Sequence, residues 1–196
     1  MRKQFIFAYG LATLLALWAL YAKNYEFLLY AVVAIALVVL IHFGDAKFAF
    51  SSPVLWGFNL WLVMHSLGGL LPVADGVLYS FVLIDLVGPP YSILKYDQVV
   101  HVYCYFIVAL LLWKVLTHYL KSSTRAAAIP TPLLVTVTVL AATGIGGINE
   151  IIEFAATVLV PETNVGGYEN TAIDIVSNLV GACLAIPFFR GVFREE

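Results

Sequence analysis

Asp97 and His101, Glu150 and Glu153, and Asn170 and Asp174 stand three or four residues apart within apolar stretches, so each pair shares one helix face. An ionisable group at the centre of a membrane helix costs about 2.5–3.5 kcal/mol on insertion scales. A chain carries that cost where the groups face the protein interior, pair with one another, or handle something polar. His65 lies in the preceding apolar stretch, and Asn178 follows Asp174 by one helical turn. Two chemistries suit this set. Imidazole and carboxylate match zinc, manganese or iron, with His65, His101 and Glu153 as metal ligands. No H-E-x-x-H or C-x-x-C spacing is present, so such ligands come from separate helices. Alternatively, Glu150 and Glu153 share a proton in a low-dielectric site and serve as general acid and base, or relay protons in a transporter.

These alternatives give a candidate catalytic set of Glu150, Glu153, Asp174 and His101. His65, Asp97, Asn170 and Asn178 are candidate substrate contacts. Ser66 and Ser177 lack a nucleophile elbow or an S-x-x-K context. Cys104 and Cys183 fall in apolar stretches and read as packed thiols. One buried carboxylate–imidazole pair alone reads as helix glue worth about 0.6 kcal/mol. Four helices bringing polar groups to one depth read as a site.

The elements that position these residues are membrane spans. Of 196 residues, 62% are hydrophobic and only 11% charged, too few charges to cover a water-exposed surface. The expected fold class is all-α, a polytopic membrane helical bundle forming a single domain over 1–196. Two N-terminal spans occupy 1–50 and the polar motifs lie in a core over 54–190. Spans are expected at 5–22, 27–43, 54–71, 98–116, 132–160 and 171–189. The stretch 77–87 is about half the length needed to cross and reads as interfacial or re-entrant. Asp85 within it could fold over the site. The 132–160 span is long enough to require tilt or a break at Gly144, Gly146 and Gly147.

With the N-terminus inside, Arg2, Lys3, Lys47, Lys114, Lys121, Arg125, Arg190 and Arg194 collect on the inner side. Only Lys23 and Lys95 face outward. That asymmetry predicts an inner-membrane protein with both termini cytoplasmic. The charged set then lies in the outer half of the bilayer, with Asp97 and Asn170 at helix entrances. Glu150 and Glu153 lie roughly 10–15 Å, and His65 about 10 Å, below the outer ends of their helices at the α-helical rise. Glu162 and Glu169 read as solvated, and His42 and His118 as interfacial. The net charge of −2 gives no reason to expect nucleic acid. The partners expected are membrane lipids, a second copy of the chain, or another envelope protein.

The motifs Met64-His65-Ser66-Leu67-Gly68-Gly69, Tyr96-Asp97-Gln98-Val99-Val100-His101, Glu150-Ile151-Ile152-Glu153-Phe154 and Asn170-Thr171-Ala172-Ile173-Asp174 occur in this order. The sequence resembles the YjdF-type inner-membrane proteins, a bacterial family of unknown function, and more distantly the VanZ-like proteins. The resemblance covers about 56–185. The YjdF-type pattern has His before a Gly pair, D-x-x-x-H, E-x-x-E-aromatic and D-x-x-x-D; Asn170 replaces the first acid of the last motif. Asp174, Asn178 and Gly181 match the VanZ-like D-x-x-x-N-x-x-G, but Tyr168 and Glu169 stand where an arginine is usual. VanZ is associated with glycopeptide resistance, so this resemblance implies an envelope or lipid-linked role. The expected function is binding or processing of a polar lipid head group or lipid-linked envelope precursor in an outward-facing pocket, with a divalent metal ion as the cofactor its ligands would suit. A small proton-coupled transporter and a non-catalytic helper subunit of an envelope enzyme are the alternatives.

Overall fold

The computed structural model describes residues 1–74, 76–89, 91–121, 131–161 and 163–189. Arg125, Arg190 and Arg194, counted above in the charge pattern, and Glu162, read above as solvated, lie outside the described residues, as does the side chain of Lys121. Among the described residues six α-helices follow in order: α1 (Lys3–Tyr21), α2 (Tyr25–Phe48), α3 (Ser52–Leu70), α4 (Tyr96–Lys121), α5 (Thr131–Leu159) and α6 (Tyr168–Leu184). Five of them are long and apolar enough to cross a membrane. The exception, α3, has 19 residues, a length of about 28 Å at 1.5 Å per residue. Its polar residues include Asn59, His65 and Ser66, and both Asn59 and Ser66 are buried. The fold is an all-α membrane bundle.

Local chemistry sets the helix ends. Asn24 caps α2 by accepting from the Phe27 amide, and Ala49 ends it in the left-handed region. Proline stands in the first turn of α3, where a missing N–H costs nothing. The glycines do not break α5, which is one continuous 29-residue helix of about 43 Å, longer than a hydrocarbon core.

The 77–87 stretch does not form a span. Strand β1 (Pro72–Val73) pairs antiparallel with β2 (Gly76–Val77), and a 3-10 turn follows at Leu78–Ser80. The chain then returns towards α4 through backbone bonds between Leu83 and Leu94 and between Leu86 and Ile93. Asp85 is exposed and accepts from the Gly88 amide, so it shapes a turn rather than folding over the site.

α4 lies at the centre, packed on α3, α5 and α6, while α1 joins α2 to α3. The closest approach is between α4 and α6. A Cβ built on Gly181 would lie 2.1 Å from the Val102 carbonyl oxygen. At one end of the bundle, Arg2 pairs with Asp45 at 2.8 Å and Lys47 donates to the Tyr119 hydroxyl. Gln4, Ser52 and Asn59 form a hydrogen-bonded group near that end. The opposite end holds Lys95, which donates to Asn170 at the start of α6.

This two-ended distribution predicts a labelling pattern. With Cys104 and Cys183 replaced, a cysteine at Ser80 should react with an impermeant maleimide on intact cells, and one at Ala46 should react only after permeabilisation. The reverse pattern would invert the topology.

Candidate functional site

His101 organises the polar network. It sits in the second turn of α4, 6% exposed, and its Nδ1 lies 2.9 Å from the Asn178 Oδ1 on α6. Because a carbonyl oxygen only accepts, Nδ1 carries the proton and a neutral ring keeps its lone pair on Nε2. Nε2 faces an Asp97 oxygen at 3.6 Å and a Glu153 oxygen at 3.9 Å, while a Glu150 oxygen lies 3.8 Å from Nδ1. The i, i+4 spacing of Asp97 and His101 produces the first contact; α4–α5 packing produces the others.

Amides tie the carboxylates together. Asn170 donates from Nδ2 to the Oδ2 atoms of both Asp97 and Asp174, and its own carbonyl accepts from Lys95 Nζ. Asn149 donates to Glu153 at 2.8 Å and to Glu150 at 3.5 Å. One oxygen of Glu150 and one of Asp174 are buried without a hydrogen-bond partner. Two ligand-spaced groups result, Asp97–His101–Asp174 and His101–Glu150–Glu153, each with one donor atom per residue within 4.8 Å of the others.

A cavity of about 70 Å³ opens beside His101, room for a few waters or one compact polar group. Asp97, His101, Glu153 and Asn170 form one wall. Glu150, Asp174 and Asn178 are buried behind that wall and not on the lipid face. Tyr30, Trp61, Tyr79 and Tyr105 add aromatic rings to the lining.

His65 lines the same cavity but has different neighbours. Its ring stacks on Trp61 at 5.5 Å, and the Tyr79 hydroxyl bonds to both its Nδ1 and its carbonyl oxygen. These bonds are satisfied together when Tyr79 donates to the carbonyl and accepts from Nδ1–H. Burial, with the Asp97 and Glu153 carboxylates nearby, pushes the Tyr79 phenol well above its ordinary value, so it stays a hydroxyl. His65 belongs to neither ligand-spaced group among the described residues.

The structure also gives the surroundings of single residues in and beside the motifs. Phe154 is 67% exposed and shields nothing in the site. Ser66 and Ser177 donate to the carbonyls of Leu62 and Ile173, as hydroxyls within helices do. Cys104 lines the cavity. Of the glycines in α5, only Gly146 makes a close approach, facing Asn178; a Cβ on Gly144 or Gly147 meets nothing within 4 Å.

Sequence reasoning missed Glu26, which lines the cavity from α2 at 4% exposure. Its carboxylate accepts from both the backbone and side-chain amides of Asn164, clasping the α5–α6 connection over the pocket. An acid in the first turn of α2 reads as a favourable helix-dipole charge, which hides any second role. Tyr30, one turn further along, and Asn149, beside Glu150, were also missed.

Compared with known families, residues 4–195 match DUF2238, described as a predicted membrane protein. The chain belongs to the DUF2238 family. The match supports a YjdF-type membrane family and takes in both N-terminal helices of this DUF2238 chain, one of which supplies Glu26 and Tyr30. The VanZ likeness rests on the motifs alone. No curated protein and no solved structure matches the chain.

Proposed function

We propose that this membrane protein holds a polar lipid head group, or the head of a lipid-linked envelope precursor, in an outward-facing pocket, where Glu153 meets the head group as acid or base and Glu150, behind the wall, shares its proton. The carrying observation is the cavity, lined by the carboxylates of Asp97, Glu153 and Glu26 together with the rings of Tyr30, Trp61, Tyr79 and Tyr105. Carboxylates accept hydrogen bonds, so they suit a head group rich in hydroxyl or ammonium donors. Tyrosine and tryptophan faces suit sugar C–H surfaces and cations. The small volume admits the reactive tip of such a group and leaves its apolar chains in the bilayer.

The packing beyond the site supports a one-sided pocket over a transport route. Inward of Tyr105 the described core is apolar, with Ile107, Ala109, Leu110, Trp113, Val139 and Ala142 all buried, apart from Thr138, whose hydroxyl donates to the Leu134 carbonyl within its own helix. A proton relay needs polar groups or water at that depth. The hydrogen-bonded group of Gln4, Ser52 and Asn59 lies among α1 and α3, away from the carboxylates.

Glu153→Gln tests this reading, because it preserves size and hydrogen bonding while removing the titrating group. Purified wild type should retain a stoichiometric lipid by native mass spectrometry. The variant should lose roughly tenfold in lipid retention, while its Tm stays within about 2 °C, the shift expected of about 0.5 kcal/mol. Undiminished retention in both Glu153→Gln and Glu150→Gln would refute the proposed role and favour a helper subunit.

A further inference from the structure

We infer that Asp97, His101 and Asp174 form a divalent-cation site, with Nε2 of His101 and one oxygen from each aspartate as ligands. This set differs from the ligands expected from sequence, since it omits His65 and Glu153. The inference uses Asp97 and His101 of the pocket wall with Asp174 behind it, and stands whether or not a lipid binds there.

The first observation is spacing. Two ligands about 2.1 Å from one ion, at octahedral or tetrahedral angles, lie roughly 3.0–3.4 Å apart. His101 Nε2 and the Asp97 oxygen are 3.6 Å apart, too far for a good hydrogen bond and near the edge of a coordination polyhedron. An Asp174 ligand atom completes a group spanning at most 4.8 Å.

The second observation is the orphaned oxygen. Asp174 is fully buried, with 0% exposure. Asn170 holds its Oδ2, while Oδ1 has no hydrogen-bond partner. A buried carboxylate oxygen left bare is costly, and a cation within reach satisfies it.

The surrounding residues meet the needs of such a ligand set. Metal-binding histidines are oriented by a hydrogen bond from the other ring nitrogen, and Asn178 provides that bond at Nδ1. Asn170 occupies Oδ2 of both aspartates, which leaves the Oδ1 atom of each for another partner. Lys95 in turn fixes the orientation of the Asn170 amide. One nitrogen with two carboxylate oxygens suits a first-row divalent ion such as Zn²⁺ or Mn²⁺. Such an ion would let a carboxylate-lined pocket receive a phosphate.

The test is isothermal titration of Zn²⁺ and of Mn²⁺ into the full chain, purified in detergent and stripped with chelator, with bound metal counted by elemental analysis. One saturable ion per chain is expected. His101→Ala and Asp174→Asn should each weaken it at least roughly tenfold, Asn178→Ala should weaken it measurably, and His65→Ala should leave it intact. Thermal melts identify variants that fail to fold, and Asp174→Asn keeps the inference testable if His101→Ala is one of them. No saturable ion in folded wild type, or wild-type affinity in Asp174→Asn, overturns the site. Loss in His65→Ala with retention in Asp174→Asn does so too. Lipid retention in the stripped protein separates the two proposals: lipid bound with no metal site refutes only the cation, and a metal site with no lipid refutes only the head-group reading.

Discussion

Asp174→Asn should make the metal-free protein more stable while abolishing its function. The side chain is fully enclosed and shares the Asn170 amide with Asp97, and Glu150 and Glu153 lie across His101. Four carboxylates around one imidazole repel one another where little water screens them. Asparagine keeps the shape and the oxygen that Asn170 holds, and removes one charge. Relief of about 1 kcal/mol raises Tm by roughly 2–4 °C in a chain of this size. Wild type should gain Tm on addition of Zn²⁺ or Mn²⁺, because a ligand that binds only the folded state stabilises it; the variant should not. Differential scanning of both proteins, with chelator and with metal, reads all four values. A fall of several degrees in chelator-treated Asp174→Asn would make Asp174 a scaffold residue.

Gly181→Ala should have the largest effect on stability. The new Cβ would meet the Val102 carbonyl oxygen at 2.1 Å and the Val102 carbonyl carbon at 2.8 Å. Both are backbone atoms, so no rotamer change removes the clash and α4 must move roughly 1 Å from α6. Overpacking of this kind costs about 1–3 kcal/mol, a loss of roughly 3–9 °C in Tm. The shift also reaches the site, because His101 adjoins Val102 and Asn178 lies one turn from Gly181. Metal and lipid retention should therefore fall even at temperatures where the variant is folded. Gly144→Ala is the matched control: nothing lies within 4 Å of its Cβ and alanine favours the helix, so its Tm should equal or slightly exceed that of wild type. Equal melting of Gly181→Ala and Gly144→Ala would show that α4 and α6 are not in the contact described.

The legible part of the site was the part written in periodicity. Spacings of three and four residues placed Asp97 with His101, Glu150 with Glu153 and Asn170 with Asp174 on single faces, and the helices deliver those pairs to one network. The same spacing could not rank the residues by layer. Glu150 and Asp174 stand behind His101, and Glu153 faces the cavity, because depth depends on how α5 and α6 rotate against α4. Phe154 illustrates this limit. It neighbours Glu153 in sequence, yet a step of about 100° per residue takes it to the exposed surface.

By itself, the sequence determined the class and the helices. Long apolar runs with few charges leave no folded alternative to a membrane bundle, since every backbone polar group in lipid must be bonded within its own helix. The chain also determined which pairs of ionisable residues travel together. Tertiary structure decided the rest: that α2 supplies Glu26 and Tyr30, that Tyr79 comes in from the Leu78–Ser80 turn to hold His65, and that Gly181 rather than Gly144 or Gly147 marks a close helix contact. α2 is apolar on nearly every side, so its pattern names no inward face. Helical periodicity is a property of one helix and is fixed locally. A cavity belongs to several helices at once, and its lining is fixed only when their side chains interlock.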